Sequence, residues 1–132
     1  MSIINFSRPM IQFTDKHDWI DINGSVGFVG ISAFKLTGIK KIDSIRWHKL
    51  KGILESGTLV AEIHSGDYII PVHAPVKGNF LGPNPQLENN LNLIIESPQN
   101  KGWIFFVSPA RFSNREPLLT LEDYQRRIRF NQ

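Results

Sequence analysis

The sequence of 132 residues contains no cysteine. This absence excludes a disulfide framework, a thiolate nucleophile and a cysteine-ligated metal centre, and it agrees with a reducing compartment. No apolar run reaches the roughly 18 residues that a membrane-spanning helix needs. Residues 1–10 contain one arginine and no long apolar stretch, so they resemble neither a secretory signal nor an arginine-rich transit peptide. We therefore predict a cytoplasmic protein without a membrane span.

An excess of charge of one sign is also lacking. The net charge is +3 and the isoelectric point is about 9.4. Arg126, Arg127 and Arg129 gather late in the chain, where cations on a solvated helix end complement the helix dipole. Because no platform of aromatic and basic residues accompanies them, we expect no nucleic-acid binding.

The usual signatures of catalysis are missing as well. No serine lies in a Gly-x-Ser-x-Gly elbow. Gly24, Gly27 and Gly30 are regularly spaced, but they lie in a predicted hairpin rather than between a strand and a long helix. The residues therefore support neither a serine triad nor a phosphate-binding loop.

Apolar residues and turn formers, in contrast, are plentiful. Hydrophobic residues make up 41% of the chain, which also contains ten glycines and eight prolines. This composition predicts one domain over residues 1–132, with a sizeable core and many short elements. Alternation of polar and apolar residues indicates that most of these elements are strands.

Two hairpins give the clearest local signals. Asn23-Gly24 separates alternating runs over residues 19–22 and 25–29, and both residues of this turn tolerate positive φ. Gly66-Asp67 separates two further predicted strands, Leu59–Ser65 and Tyr68–His73. A two-residue Gly-Asp loop favours a tight turn, so the predicted tip of the second hairpin is Asp67.

The remaining elements are short. Ser32 is a suitable cap for a short helix over residues 33–37, which Gly38 ends. Further strands are predicted over residues 42–47, 79–81 and 103–107, with a turn over 54–57, breaks at Pro83 and Pro85, and mixed structure over 87–95. Thr120, followed by Asp123, begins a last helix over residues 121–129 with Leu121, Tyr124 and Ile128 on one face.

Several separated motifs follow one another along the chain, among them Thr14 to Trp19 and Ala74 to Gly78. In order and with little gapping, these two resemble the opening "T-x-x-H-E/D-W" and the "A-P-V-S-G" of the glycine cleavage system H-protein family. Between and after them lie smaller matches: Asn23-Gly24, Val29 to Ser32, Glu55 to Gly57, Asn84, Leu87-Glu88, Asn90, Pro98 and Gly102-Trp103. The resemblance covers roughly residues 10–130. It implies a mainly β fold, a lipoyl-type flattened sandwich of two antiparallel sheets with a short internal helix and a C-terminal helix.

The same resemblance exposes a departure at the residue that carries the chemistry of the family. H proteins attach lipoate to a lysine seven residues before the alanine of "A-P-V-S-G", and that position is Asp67 here. No lysine lies between Lys51 and Lys77, so no small insertion hides one. A carboxylate cannot form the lipoyl amide. Aspartate is also a good turn residue, so Asp67 is explained by its turn, with cation or partner binding as the alternative.

A second departure lies three residues earlier. The family usually has a glutamate there, as part of what lipoylating enzymes recognise, and this chain has His64. The family's "L-G-D" after the short helix is changed to Ile39-Lys40-Lys41, and H proteins are typically acidic whereas this chain is basic. Net charge alters the steering of partners more than it alters the fold.

Histidines are the other candidates for chemistry. His48, His64 and His73 lie near the second hairpin and could act as bases or metal ligands. In regular strands His64 pairs near Ile69 and His73 near Val60, on opposite faces, so they do not converge with Asp67. We expect no metal site there, we interpret His17 as structural, and we assign Trp19, Trp47 and Trp103 to packing.

Three functions remain open. The first is an H-protein-like binding protein that is not lipoylated, is not an enzyme and carries no cofactor; its partners would be proteins, such as glycine cleavage enzymes or a lipoate ligase, and it would be a monomer. The second is a working lipoyl carrier that uses another lysine, with Lys77 the nearest in sequence. The third is an unrelated enzyme on the same fold, with His64 or Asp67 in its chemistry.

Overall fold

The computed structural model describes residues 11–110 and 118–130. The prediction made for residues 1–10 lies outside the described residues. Within the described ranges, none of the helices is both long enough and apolar enough to cross a membrane.

The architecture is an open sandwich of two antiparallel sheets. The larger sheet has seven strands in the order β10-β1-β2-β3-β9-β8-β5, and the smaller has three in the order β4-β6-β7. The strands are β1 Ile11–Phe13, β2 Asp18–Asn23, β3 Val26–Ile31, β4 Ser44–Trp47, β5 Ile53–Leu54, β6 Leu59–Ser65, β7 Tyr68–His73, β8 Gly78–Pro83, β9 Phe105–Pro109 and β10 Leu119–Thr120. The predicted mainly β sandwich is confirmed.

The first hairpin forms as predicted, but its turn lies one residue later. Asn23 pairs with Val26, so the two loop residues are Gly24 and Ser25 rather than Asn23 and Gly24. Gly24 has a φ of 67°. A positive φ at the first loop residue is the requirement of a type II′ turn, which glycine meets without steric cost.

Several element boundaries differ from the prediction. The strand predicted over 42–47 begins only at Ser44, and the one predicted over 103–107 runs over Phe105–Pro109. Pro83 ends β8 instead of following it, and Leu54 belongs to β5 rather than to a turn. Proline is tolerated at Pro83 because β5 pairs with β8 only at Gly78 and Asn79, so among the described strands Pro83 has a neighbour on the β9 side alone.

Three short strands of the large sheet escaped prediction altogether. Strands β1, β5 and β10 contain two or three residues each, too few for an alternating pattern to be recognised. They exist because the partner strands offer hydrogen bonds: Gln12 pairs with Ile20 on one side and Thr120 on the other.

The helices are few and short. Two 3₁₀ helices span Ala33–Leu36 and Pro85–Glu88, and two α-helices span Leu93–Glu96 (α1) and Leu121–Phe130 (α2). Ser32 caps the first 3₁₀ helix through Phe34 N, as predicted, at 3.1 Å. The Oγ1 atom of Thr120 accepts from Asp123 N at 3.1 Å, which confirms the predicted start of the last helix.

Two apolar clusters hold the layers together. The larger lies between the sheets and includes Ile20, Val60, Ile63, Val72 and Phe105, all of them fully buried. The smaller lies on the other face of the large sheet, where the ring of Phe13 stacks on that of Tyr124 with centroids 4.1 Å apart. Successive residues of β2 point to opposite faces, so Ile20 enters the first cluster while Trp19 enters the second.

Candidate functional site

The hairpin β6–β7 has the register that the sequence predicts at its tip. Ser65 pairs with Tyr68, so Gly66 and Asp67 form a two-residue loop, and Gly66 has a φ of 58°. The neighbouring segment supports this loop from one side, because Asp43 Oδ2 accepts from Gly66 N at 2.7 Å and Ser65 Oγ donates to Lys41 O. The tip is therefore a supported turn rather than a free loop.

The side chains at the tip face solvent. Asp67 is exposed, and the two residues that follow it are exposed although they are large and apolar: Tyr68 at 67% and Ile69 at 56%. Exposed aromatic and aliphatic groups beside a turn are typical of contact surfaces, where Tyr is enriched among the residues that dominate binding. What this tip can do chemically is present a carboxylate and an apolar pair to a partner.

The histidines of the hairpin share one face, contrary to prediction. His64 pairs with Ile69, as expected, but a register shift between Leu59 and Ala61 makes His73 the partner of Leu59. Ile69 and His73 lie four residues apart on β7 and so point the same way. The prediction of opposite faces is wrong because residues paired across the two strands share a face, so the His64–Ile69 pair and the even spacing from Ile69 to His73 place both histidines on one side, with or without the bulge.

His64 does not converge with Asp67. Its Nε2 atom lies 3.9 Å from Glu62 Oε1, while His48 Nε2 lies 3.4 Å from the same oxygen. The His64 Nε2 atom is buried and has no hydrogen-bond partner among residues 11–110 and 118–130. No three histidine, aspartate or glutamate side chains within the described residues form a group that could hold a metal ion.

Lys77 lies far from the tip of the hairpin. It precedes β8, its Nζ atom is 3.7 Å from Glu55 Oε2, and its side chain is 42% exposed. Strand β7 alone separates Asp67 from His73 by roughly 20 Å, at about 3.3 Å per residue. Lys77 thus lies beyond the opposite end of the hairpin, as the sequence predicted.

The base of the hairpin contains a charged centre that sequence reasoning missed. Asp18, the first residue of β2, is completely buried. Lys35 Nζ lies 2.7 Å from Asp18 Oδ1 and 2.6 Å from the backbone oxygen of Pro71. His73 Nδ1 lies 2.9 Å from Asp18 Oδ2. Both carboxylate oxygens are therefore satisfied, and the large sheet, the first 3₁₀ helix and the hairpin are joined at one point.

A second polar network adjoins this centre and reaches the last helix. The hydroxyl of Tyr124 lies 2.7 Å from His17 Nδ1 and 2.6 Å from Ser32 Oγ. His17 has a φ of 69°, which is unusual for a residue other than glycine. Its contacts are internal, in agreement with a structural role.

Burial shifts the pKa values of three groups in these two networks. Desolvation and the nearby ammonium of Lys35 lower the pKa of His17. Desolvation also lowers the pKa of Lys35 itself, against the opposing effect of Asp18. The pKa of the Tyr124 phenol is raised, chiefly by burial. Each shift favours the neutral form of its group, chiefly because burial removes water from that side chain.

A cleft opens beside the Asp18 centre. It has a volume of about 370 Å³, and Asp18, His73, Lys16 and Arg127 contribute to its walls. It lies where the loop between β1 and β2, the two loops flanking the hairpin and helix α2 approach one another.

Sequence patterns could have indicated only part of this centre. Asp18 lies within the "T-x-x-H-E/D-W" motif, so it could have been suspected. Lys35 gave no signal, because a lysine on a short helix is usually solvated and its partners lie 17 and 36 residues away.

Three comparisons with known proteins agree with one another. The sequence profile of the family described as Glycine cleavage H-protein matches residues 11–130. The glycine cleavage system H protein of Bacteroides fragilis is 29% identical over 122 residues, which cover 92% of this chain and 96% of that protein. The glycine cleavage system H protein of Anoxybacillus flavithermus is 24% identical over 118 residues, covering 89% and 93% of the two chains.

A solved structure supports the fold. The crystal structure of a glycine cleavage system H protein from Mycobacterium marinum superimposes with a TM-score of 0.77. The match covers 92% of this chain and 98% of that one, at 21% sequence identity. At this identity the likeness concerns the fold alone.

Proposed function

The chain belongs to the glycine cleavage H-protein family, and we propose that within this family it is a binding protein that carries no lipoyl arm. It is not an enzyme, it binds no cofactor, and it acts as a monomer in the cytoplasm. Its partners are proteins, either glycine cleavage enzymes or a lipoate ligase.

One observation supports this proposal above the others. The hairpin β6–β7 keeps a regular two-residue turn, yet the turn presents the carboxylate of Asp67 where the family has its amine. The substitution at this position therefore alters the chemistry of the tip and leaves the turn itself in place. A lipoyl amide requires a lysine amine, and the chain has no lysine between Lys51 and Lys77.

The surroundings of the tip favour a protein contact. Tyr68 and Ile69 stand exposed next to Asp67 and would bury apolar area against a partner. The family usually has a glutamate at the position of His64, as part of what lipoylating enzymes recognise. The chain therefore lacks a second feature of a lipoylation site. Asp67 itself has no hydrogen-bond or ion-pair partner within the described residues, and we assign it to the turn.

A working lipoyl carrier is the alternative. It would require lipoate on another lysine, and Lys77 lies beyond the base of the hairpin near Glu55. An arm attached there would start roughly 20 Å or more from the tip. An enzyme that uses His64 or Asp67 is disfavoured because His64 is directed toward Glu62 rather than toward Asp67.

Intact-mass spectrometry of the protein purified from its natural source tests whether the chain carries a lipoyl group. We expect the unmodified mass of the chain. A mass increase equal to one lipoyl group would refute the proposal, and peptide mapping would then identify the lysine that carries it.

Expression of designed variants in a host that lipoylates proteins tests whether Asp67 and His64 are the reason that the chain carries no lipoyl group. We expect no lipoyl group on the natural chain and one on the His64→Glu, Asp67→Lys double variant, with Asp67→Lys alone modified less. The double variant is the positive control for the scaffold. If it remained unmodified, the surface read by lipoylating enzymes would have been lost at further positions.

Affinity capture from extracts of the source organism identifies the partner. The natural chain and a Tyr68→Ser, Ile69→Ser variant serve as paired baits, because both substituted residues are exposed. We expect glycine cleavage enzymes or a lipoate ligase on the natural bait and a clear loss on the variant. Recovery of neither class on the natural bait would show that the scaffold serves another complex.

A further inference from the structure

We infer that the cleft beside Asp18 binds a small oxyanion, a free phosphate or the carboxylate of a small metabolite. The site is separate from the hairpin tip, and the inference does not depend on the proposed function. The cleft has a volume of about 370 Å³ and is lined mainly by polar residues, among them Thr14, Lys16, Ser56, His73 and Arg127.

The carboxylate in the wall of the cleft is already neutralised. Lys35 and His73 occupy the two oxygens of Asp18 at 2.7 and 2.9 Å. Asp18 is completely buried, so this pairing removes a negative charge that would otherwise repel an anion. The Asp18 carboxylate is therefore not free to bind a cation in the cleft.

His73 offers a polar group to the cleft as a result of the same contact. A carboxylate only accepts hydrogen bonds, so Nδ1 of His73 carries the hydrogen that faces Asp18. The other ring nitrogen, Nε2, has no partner within the described residues.

Two cations complete the lining. The ammonium of Lys16 lies over Gly57, whose position would place a Cβ atom 3.5 Å from Nζ. Arg127 approaches from helix α2. Neither side chain forms an ion pair with any described residue. An ammonium and a guanidinium on one cleft are the groups that bind carboxylate and phosphate oxygens most strongly.

The local charges leave a positive excess for an anion to compensate. Lys16, Lys35 and Arg127 face only Asp15 and Asp18 among the acidic residues around the cleft. Burial is the main cause of the lowered pKa of Lys35 and of His17, and the nearby ammonium groups of Lys16 and of Lys35, respectively, lower them further. A bound oxyanion would relieve this repulsion.

Titration of the full chain with inorganic phosphate, and separately with acetate, tests the inference by two-dimensional NMR. We expect saturable shifts confined to the lining of the cleft, at residues 14–18, 56–57, 73–75, 119 and 127, with a dissociation constant in the millimolar range or below. Tighter binding of phosphate would assign the site to phosphates, and tighter binding of acetate to carboxylates. Chloride at equal ionic strength controls for screening.

Variants that remove one positive charge distinguish specific anion binding in the cleft from nonspecific attraction of anions to a basic surface. We expect Lys16→Ala and Arg127→Ala each to weaken binding about tenfold, since a charge-assisted hydrogen bond is lost. Arg126→Ala is the matched control, because Arg126 is the neighbouring helix residue and pairs with Asp123 outside the cleft. All three residues are exposed, so the fold should be retained.

Two outcomes would overturn the inference. One is a set of shifts that do not saturate, or that spread over basic residues across the surface. The other is equal weakening by Arg126→Ala and by the two cleft variants. Either result would identify the cations of the cleft as ordinary solvated residues.

Discussion

The Nζ atom of Lys35 lies 2.7 Å from Oδ1 of Asp18, a carboxylate that is completely buried. Lys35 belongs to the first 3₁₀ helix and Asp18 to β2, while the same Nζ atom also reaches the Pro71 carbonyl of β7. One amine therefore links the large sheet to the hairpin. The hairpin on which H proteins present their arm is, in this chain, fixed at its base by a buried ion pair.

Replacing Lys35 with Met should destabilise the protein strongly. The substitution keeps most of the aliphatic stem but leaves Asp18 buried beside His73 alone, and breaking a buried pair from one side costs about 3 kcal/mol. Urea unfolding followed by tryptophan fluorescence measures the change. Lys77→Met is the matched control, because its bridge to Glu55 is exposed and is worth about 0.5 kcal/mol or less. Equal losses in the two variants would contradict the assignment.

Removing the imidazole of His17 should make the free energy of unfolding depend less on pH below neutrality. Burial and Lys35 lower the pKa of His17 in the folded state below its usual 6.5. The unfolded chain therefore binds the proton first, so the stability from neutral His17 is complete above pH 6.5 and is lost as the pH falls through the folded pKa. His17→Asn suits the positive φ of 69°. The difference in unfolding free energy between natural chain and variant, measured from pH 8 down to pH 5, should shrink; a constant difference would contradict this.

Adding a methyl group at Gly30 should disturb the packing of Trp19. A Cβ atom there would lie 2.5 Å from the indole ring, which is rigid and buried. Gly30→Ala should cost about 2 kcal/mol, as overpacking does. At Gly27 the nearest atom is the flexible end of Ile20, so Gly27→Ala should cost less. Thermal unfolding of the two variants tests whether Gly30→Ala loses more stability than Gly27→Ala. A larger loss for Gly27→Ala would show that the indole of Trp19 can move aside.

The hairpin tip should tolerate a change at Asp67 but not at Gly66. Gly66 has a φ of 58°, a left-handed conformation that costs a residue with a Cβ atom about 1 kcal/mol. Asp67 is exposed, so Asp67→Lys should change stability by less than about 0.5 kcal/mol. Urea midpoints of Gly66→Ala and Asp67→Lys give the comparison. A large loss in Asp67→Lys would mean that its carboxylate has a structural role.

The order of the motifs and the two hairpin signals determined much of this protein from sequence alone. The Gly66-Asp67 pair predicted both loop residues of its hairpin correctly, because few turn conformations can connect two alternating strands through two residues. The identity of Asp67, and hence the missing amine, is also a property of the sequence. Such features depend on neighbouring residues in the chain, so one sequence suffices to find them.

Tertiary structure decided the rest. The bulge beside Val60 changed the partner of His73 from the expected Val60 to Leu59, since it depends on how β6 and β7 pair and not on either strand alone. Strands of two or three residues formed only because longer partners offered hydrogen bonds. The contact of Lys35 with Asp18 and Pro71 brings together three segments, and no local pattern encodes it, because the burial that gives the contact its importance exists only after the sheets have packed.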